Sequence, residues 1–281
     1  MDFRPFGPTG ASLPRIGLGT WQMEGDDRRS AVLALRAGLD VGMTHVDTAE
    51  LYGSGRVEEI VAEAIAGRRD EVFLVSKVLP SHGSRKGVLA ACDKSLARLR
   101  TDRLDCYLLH WPGSHPLEET IGAFEVLVQA GKIRSWGVSN FDEDELESAL
   151  AVAGPGRIAC NQVLYHLGER SIEHAVVPWC EAHGVAVVGY TPFGTSAFPP
   201  GGRAGAETVE RIAQRRGKTA RQVALAFLTR TPSLFAIPKS SDPEHVRENA
   251  GAGRLALDAD EIAALDGQFS RGRRRRGVPM L

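Results

Sequence analysis

Lysine is scarce in this chain, with six residues against 28 arginines. Surface cations are supplied by Arg, so a Lys inside an apolar run stands out as chosen for its chemistry. Cysteine is scarce too. Cys92, Cys106, Cys160 and Cys180 lie far apart with no CxxC pair, which gives neither a disulfide framework nor a zinc knuckle and reads as small buried hydrophobes. No apolar run approaches ~18 residues, and the opening MDFRPFGPTG has no apolar signal core. The expectation is a soluble, cytoplasmic chain with no membrane partner. Charge of one sign is also lacking: the net charge is −1, so no global field recruits nucleic acid. The exception is RGRRRR at 271–276, whose five arginines leave 29 basic against 35 acidic residues elsewhere. It reads as a flexible, solvated basic tail over 271–281, with a docking element for phosphates or acidic lipid as the alternative.

What is present is an alternation. Eight short apolar runs read as buried parallel strands: 16–21, 44–49, 72–78, 104–111, 133–140, 159–166, 185–192 and 234–240. Between them come helical faces, such as Leu35 and Leu39, Val88, Cys92, Leu96 and Leu99, or Val223, Ala224, Phe227 and Leu228. Eight strands each followed by a helix predict an α/β fold, a single-domain (β/α)₈ TIM barrel over 1–281. A doubly wound sheet is the runner-up, but Gly17-Leu18-Gly19 is followed by Thr20-Trp21-Gln22, so the third Gly of GxGxxG is missing. The stretch FRPFGPTGASLP before the first strand suggests a hairpin closing the barrel bottom. Residues 191–207, with four Gly and three Pro, read as a functional loop at the opposite face.

Chemistry in such a barrel is built at the C-terminal strand ends. The stretch HVDTAELYGSG (45–55) places Asp47 at the end of the second strand and Tyr52 in the loop after it. The third strand adds Lys77, the fourth His110, the fifth Ser139 and Asn140, the sixth Gln162, the seventh Tyr190, the eighth Lys239 and Ser240. Each has a bland reading alone: a turn cap, a loop aromatic, a snorkelling Lys, a core His. Together an acid, a phenol, an ammonium and an imidazole on consecutive strands point to proton transfer. A Lys ammonium beside a phenol is expected to lower its pKa from about 10 and make it a general acid. Asp47 would hold Lys77 charged, and His110 would orient the substrate oxygen. With no Ser or Cys nucleophile evident nearby, the attacker is expected to be a cofactor hydride.

These motifs are recognisable. GLGTW (17–21), DTAELYGSG (47–55), VSKV (75–78), LLHWP (108–112), GKIRSWGVSNF (131–141), NQVLYH (161–166), GYTPFG (189–194) and IPKS…EN (237–249) resemble the aldo-keto reductase family over nearly the whole chain, in closer detail the bacterial branch that reduces methylglyoxal and other small aldehydes. The resemblance implies NADPH-dependent reduction of carbonyl compounds, with Asp47, Tyr52, Lys77 and His110 catalytic and Tyr52 the proton donor. It implies that Ser139, Asn140 and Gln162 bind the nicotinamide carboxamide, and that Tyr190 stacks on the ring. Lys239 and Ser240 would hold the adenosine 2′-phosphate, with Asn249 also on the cofactor. One departure is His245, which stands six residues after Lys239 where NADPH-preferring members often carry Arg. An imidazole lacks the planar fork that grips phosphate, so NADPH is expected to stay preferred through Lys239 but by a reduced margin that leaves room for NADH. The chain is short for the family, which implies a shallow pocket lined by Trp21, Tyr52, His110 and Trp111 and suited to small carbonyl substrates, in a monomer or loose dimer.

Two other classes compete. A metal-dependent barrel hydrolase would use His45, Asp47 and His110, but no HxH pair stands at the first strand, and no metal site is expected. A catalytically weak, cofactor-binding regulatory or sensor subunit of the same fold would use the Arg tail for docking; turnover by the purified chain separates it from an enzyme.

Overall fold

The structure, a computed structural model, describes residues 2–281. Strands β1 (Phe3–Pro5) and β2 (Ser12–Pro14) form an antiparallel hairpin. The remaining strands are β3 (Leu18–Gly19), β4 (His45–Asp47), β5 (Phe73–Val78), β6 (Leu104–Leu109), β7 (Ile133–Ser139), β8 (Ile158–Leu164), β9 (Ala186–Tyr190) and β10 (Leu234–Ile237). They lie side by side in chain order, all parallel. Parallel bridges Ile16↔Ala236 and Gly19↔Lys239 join first strand to last and close the (β/α)₈ barrel.

That closure explains Gly17-Leu18-Gly19. Gly19 N donates to Pro238 O at 3.1 Å, and a Cβ on Gly19 would lie 2.4 Å from Ile237 O. The glycine serves a close backbone approach between strands rather than a phosphate turn.

Ten α-helices surround the barrel among the described residues: α1 (Arg28–Asp40), α2 (Arg56–Ala64), α3 (Arg85–Leu99), α4 (Leu117–Gln129), α5 (Glu143–Ala153), α6 (Val176–Ala182), α7 (Gly202–Arg216), α8 (Ala220–Leu228), α9 (Pro243–Ala250) and α10 (Ala259–Gln268). Their starts are written in the sequence. Asp142 with Glu145, Thr219 with Gln222 and Asp258 with Glu261 form capping boxes at α5, α8 and α10. The helical periodicity named no face for α5, which buries only Leu146 and Ala149. In α7 it starts inside the Gly/Pro-rich stretch, so the expected loop 191–207 is helical from Gly202 onward.

The barrel interior is filled by Val75, Cys106, Leu108, Cys160, Val188 and Phe235, and its bottom is stoppered by Phe6 from the hairpin. Phe6 is 0% exposed. Its ring lies edge-on at 5.2 Å from both Phe73 and Phe235 and 5.4 Å from His45. All four cysteines are buried and unpaired. No helix among the described residues is long and apolar enough to cross a membrane.

Where the sequence suggested a solvated basic tail, the structure pairs three of its arginines with carboxylates: Arg271 with Glu173 at 3.2 Å, Arg274 with Glu143 at 2.6 Å and Arg275 with Glu169 at 3.6 Å. Each exposed pair is weak, but Val278 adds apolar packing against the core, and Met280 and Leu281 end at the mouth of the barrel cavity.

Truncating Phe6 to Ala is expected to destabilise the fold by about 3–5 kcal/mol, read as a lower denaturant midpoint; a change within error would show that the hairpin does not stopper the core. His45 gives a pH signature. Its Nδ1 is buried without a partner, and burial, with the Lys77 charge adding, pushes its pKa down to about 3. The unfolded chain takes that proton near 6.5, so His45-linked stability is complete above pH 6.5 and is lost as pH falls toward 3. The slope is about 1.4 kcal/mol per pH unit. Denaturation at several acidic pH values should show His45→Asn shallower than wild type by that amount.

Candidate active site

Lys77, on β5, points with Val75 into the barrel and is 0% exposed. Its Nζ donates to Asp47 Oδ1 at 2.6 Å, to Thr48 O at 2.9 Å and to the Tyr52 hydroxyl oxygen at 3.0 Å. Three donors to three acceptors is the pattern of an ammonium. Asp47 accepts on both oxygens, the second from Gln162 Nε2 at 2.7 Å, which is the pattern of a carboxylate. Burial lowers the Lys77 pKa, but Asp47 and Tyr52 outweigh it and hold the group above its ordinary value. For Asp47 burial wins over Lys77 and Gln162 and raises the carboxyl; the two accepted hydrogen bonds keep it the anion of the pair.

The turn that delivers Tyr52 is set by its glycines. After β4 the chain turns at once, with Tyr52 N bonded to Ala49 O at 3.1 Å. Gly53, Ser54 and Gly55 then follow in the left-handed region at φ 55°, 55° and 92° before α2 begins. Burial holds the phenol above its ordinary pKa; the Lys77 charge and hydrogen bond oppose this and Asp47 adds to it. The balance is the reverse of the sequence expectation, because the removal of water from around the ring outweighs one ammonium. Tyr52 therefore carries its proton at neutral pH.

His110 lies just past β6 with Nδ1 buried and unpartnered. Burial, then the Lys77 charge, pushes its pKa down to about 2, so the imidazole is neutral. Its ring meets Tyr52 edge-on at 5.8 Å and Trp111 at 4.8 Å. Asn140, in a left-handed conformation at φ 61° that its amide tolerates, donates to His110 O at 3.0 Å and to Ser139 Oγ at 3.1 Å, and accepts from the Tyr190 hydroxyl at 3.0 Å. Ser139 in turn donates to Gln162 O at 2.8 Å.

These groups open onto a cavity of about 610 Å³. Asp47, Tyr52, His110, Ser139, Asn140, Gln162, Tyr190, Lys239, Trp21 and Trp111 all line it; Lys77 stands behind Asp47 and Tyr52. Ser240, His245 and Asn249 do not line it. They sit at and along α9, where Asp242 caps the helix and Pro243 opens it. His245 is exposed, 3.9 Å from Asp242, and Asn249 is buried with Oδ1 unpartnered. The residues fit a nicotinamide dinucleotide. The cavity has the size of a cofactor site, amide and hydroxyl groups cluster on one wall beside the Tyr190 ring, and a lysine and a helix N-terminus stand at one side. The hydrolase alternative has no ligand set. His45 is enclosed by Phe6 and Phe73, and no group of three or more His, Cys, Asp or Glu suited to a metal occurs among the described residues.

Sequence reasoning missed four contributors. Thr20 Oγ1 donates to Asp47 O at 2.8 Å. Met280 and Leu281 wall the cavity, signalled only by apolar residues after the Arg run. Asp26, between β3 and α1, binds Lys239 Nζ and accepts from Ser241 Oγ at 2.5 Å.

Comparison with known proteins places this geometry. Residues 15–268 match the aldo/keto reductase family model. The chain belongs to that family. It is 44% identical over 257 residues to methylglyoxal reductase YeaE of Escherichia coli K12, covering 91% of this chain and 90% of that protein. It is 32% identical to methylglyoxal reductase DkgB of Salmonella typhi, covering 91% and 94%. Among solved structures, an aldo/keto reductase from Klebsiella pneumoniae in complex with NADP and acetate superimposes with a TM-score of 0.93 at 43% identity over 100% of both chains. This aldo/keto reductase is an NADPH-dependent oxidoreductase of carbonyl compounds.

With His110 neutral and Tyr52 protonated, the pH profile of kcat/KM for reduction should show no limb near pH 6.5 and no alkaline limb below about pH 10. A limb at pH 7–8 would mean that Lys77 dominates the phenol after all.

Proposed function

We propose that this reductase converts small aldehydes and 2-oxoaldehydes such as methylglyoxal to alcohols, with Tyr52 as the proton donor. The observation that carries this reading is the hydrogen bond from Lys77 to Tyr52. Lys77 occupies a lone pair of the phenol oxygen, so the phenol proton has no partner inside the protein and is free for a carbonyl oxygen in the cavity.

Bound NADPH supplies the hydride that reaches the carbonyl carbon. Ser139, Asn140 and Gln162 would hold the carboxamide, and the Tyr190 ring would hold the nicotinamide. Neutral His110 donates a hydrogen bond to the carbonyl oxygen and orients it toward Tyr52. As charge builds on that oxygen, Tyr52 gives up its proton. The phenolate left behind is held by Lys77, whose charge is fixed by Asp47. Trp21, Trp111, Met280 and Leu281 bracket the substrate. Trp21 is 38% exposed, which suits small compounds at an open mouth, and YeaE and DkgB are named for methylglyoxal reduction.

On the adenosine side, Lys239, Ser240 and the N-terminus of α9 favour an anion, and Asn249 on α9 is also assigned to the cofactor. His245, 63% exposed, replaces the guanidinium fork, so the margin of NADPH over NADH is reduced. A monomer or loose dimer is the state that the family resemblance implies.

The test is consumption of NADPH by the purified protein with methylglyoxal. Tyr52→Phe should lower kcat by about 10²–10⁴ while NADPH binding, followed by protein fluorescence, is unchanged. A wild type that binds NADPH yet stays inert toward a panel of aldehydes would overturn the reading.

A further inference from the structure

The Asp26 carboxylate was not foreseen in the sequence and has no part in proton transfer. It lies in the loop between β3 and α1, and the pairing Gly19↔Lys239 that closes the barrel brings this loop against the end of β10. Two groups converge on one oxygen, Asp26 Oδ2: the Lys239 ammonium and the Ser241 hydroxyl. Burial opposes ionisation, but the bonds from Lys239 and Ser241 and the Lys239 charge hold the carboxyl below its ordinary pKa. Asp26 is an anion whenever the enzyme works.

Carboxylates around this corner offset the pull of Lys239 and the α9 N-terminus on a phosphate dianion. Lys239 is the cation that lines the cavity, and Asp26 already neutralises it. Arg247 is turned onto Glu244, and Asp242 and Glu244 add two carboxylates at the start of α9. A phosphate that takes Lys239 either shares the ammonium with Asp26 or draws it away, and in both cases it faces that carboxylate's like charge. A ribose hydroxyl presents no such conflict, because an acidic side chain accepts its hydrogen bond, the device dinucleotide enzymes use to favour the unphosphorylated cofactor.

We propose that Asp26 is a specificity-determining residue for the cofactor: through its hold on Lys239 it discriminates against the 2′-phosphate and so keeps NADH usable. This rests on the reductase reading and deepens it. The balance is between one carboxylate and one phosphate competing for one ammonium at a site about one-third exposed, where charge interactions are moderate.

The experiment is titration of the full chain by calorimetry with NADPH, with NADH and with adenosine 2′,5′-bisphosphate, which carries the phosphate without the nicotinamide. Wild type, Asp26→Asn and Ser241→Ala are compared, with folding checked by circular dichroism. Asp26→Asn should tighten the bisphosphate and NADPH about five- to tenfold and leave NADH unchanged or weaker. Ser241→Ala, which keeps the charge, should move the ratio much less. If Asp26→Asn weakens the bisphosphate, Asp26 instead orders Lys239 for phosphate and the proposal is overturned. Equal shifts for NADPH and NADH overturn it as well. Wild type that binds neither dinucleotide sinks the reductase reading itself, which separates the two failures.

Discussion

An ammonium with no exposed surface is the constraint around which this active site is arranged. Removing such a charge from water costs several kcal/mol, and losing its partner inside a protein costs about 3–5 kcal/mol. Lys77 is tolerable only because each of its three N–H groups meets an oxygen: a carboxylate, a backbone carbonyl and a phenol. Those acceptors come from one short segment, 47–52, which must end a strand, turn at once and lead into three left-handed residues, Gly53, Ser54 and Gly55. Register then does the rest. Asp47 pairs with Val75, and the two-residue period of β5 puts Lys77 on the same inward face, one step nearer the rim.

The two ends of the barrel have opposite tasks, and the chain treats them differently. The bottom is stoppered by Phe6, a dry aromatic contact that needs nothing but shape. The top stays open and polar, walled by loops and by the last two residues of the chain. A strap of arginine pairs and the packing of Val278 carry the tail to that wall. The Gly19 closure links both tasks. It seals the cylinder, and it sets the first loop beside the last strand, so that Asp26 meets Lys239.

Neutral His110 and protonated Tyr52 share one cause. Both are stripped of water beside the same fixed cation, and for each group burial is the largest influence. In the function proposed above, such a site would hold its proton ready at the phenol and stabilise the phenolate only after the proton had left.

The alternation of apolar runs and helical faces, the missing third glycine and the polar residue at each strand end were enough to name the barrel and eight residues that line one cavity; Trp21 and Trp111 came from the family resemblance. These features are local: strand and helix periods are two and 3.6 residues, and a parallel barrel orders its strand ends by rule. Other features are long-range and had no local signature. The Asp26–Lys239 contact spans 213 residues. The tail is carried to the cavity by Glu143, Glu169 and Glu173, which lie along its path, and by the packing of Val278. The direction of the Tyr52 pKa also belongs to the tertiary structure, since the proximity of Lys77 is legible from sequence but the depth of burial is not. The sequence by itself determined which groups stand at the rim and in what order. Only the folded chain decided how much water each keeps and which distant charge it meets, because both depend on packing between segments that share no neighbourhood in the sequence.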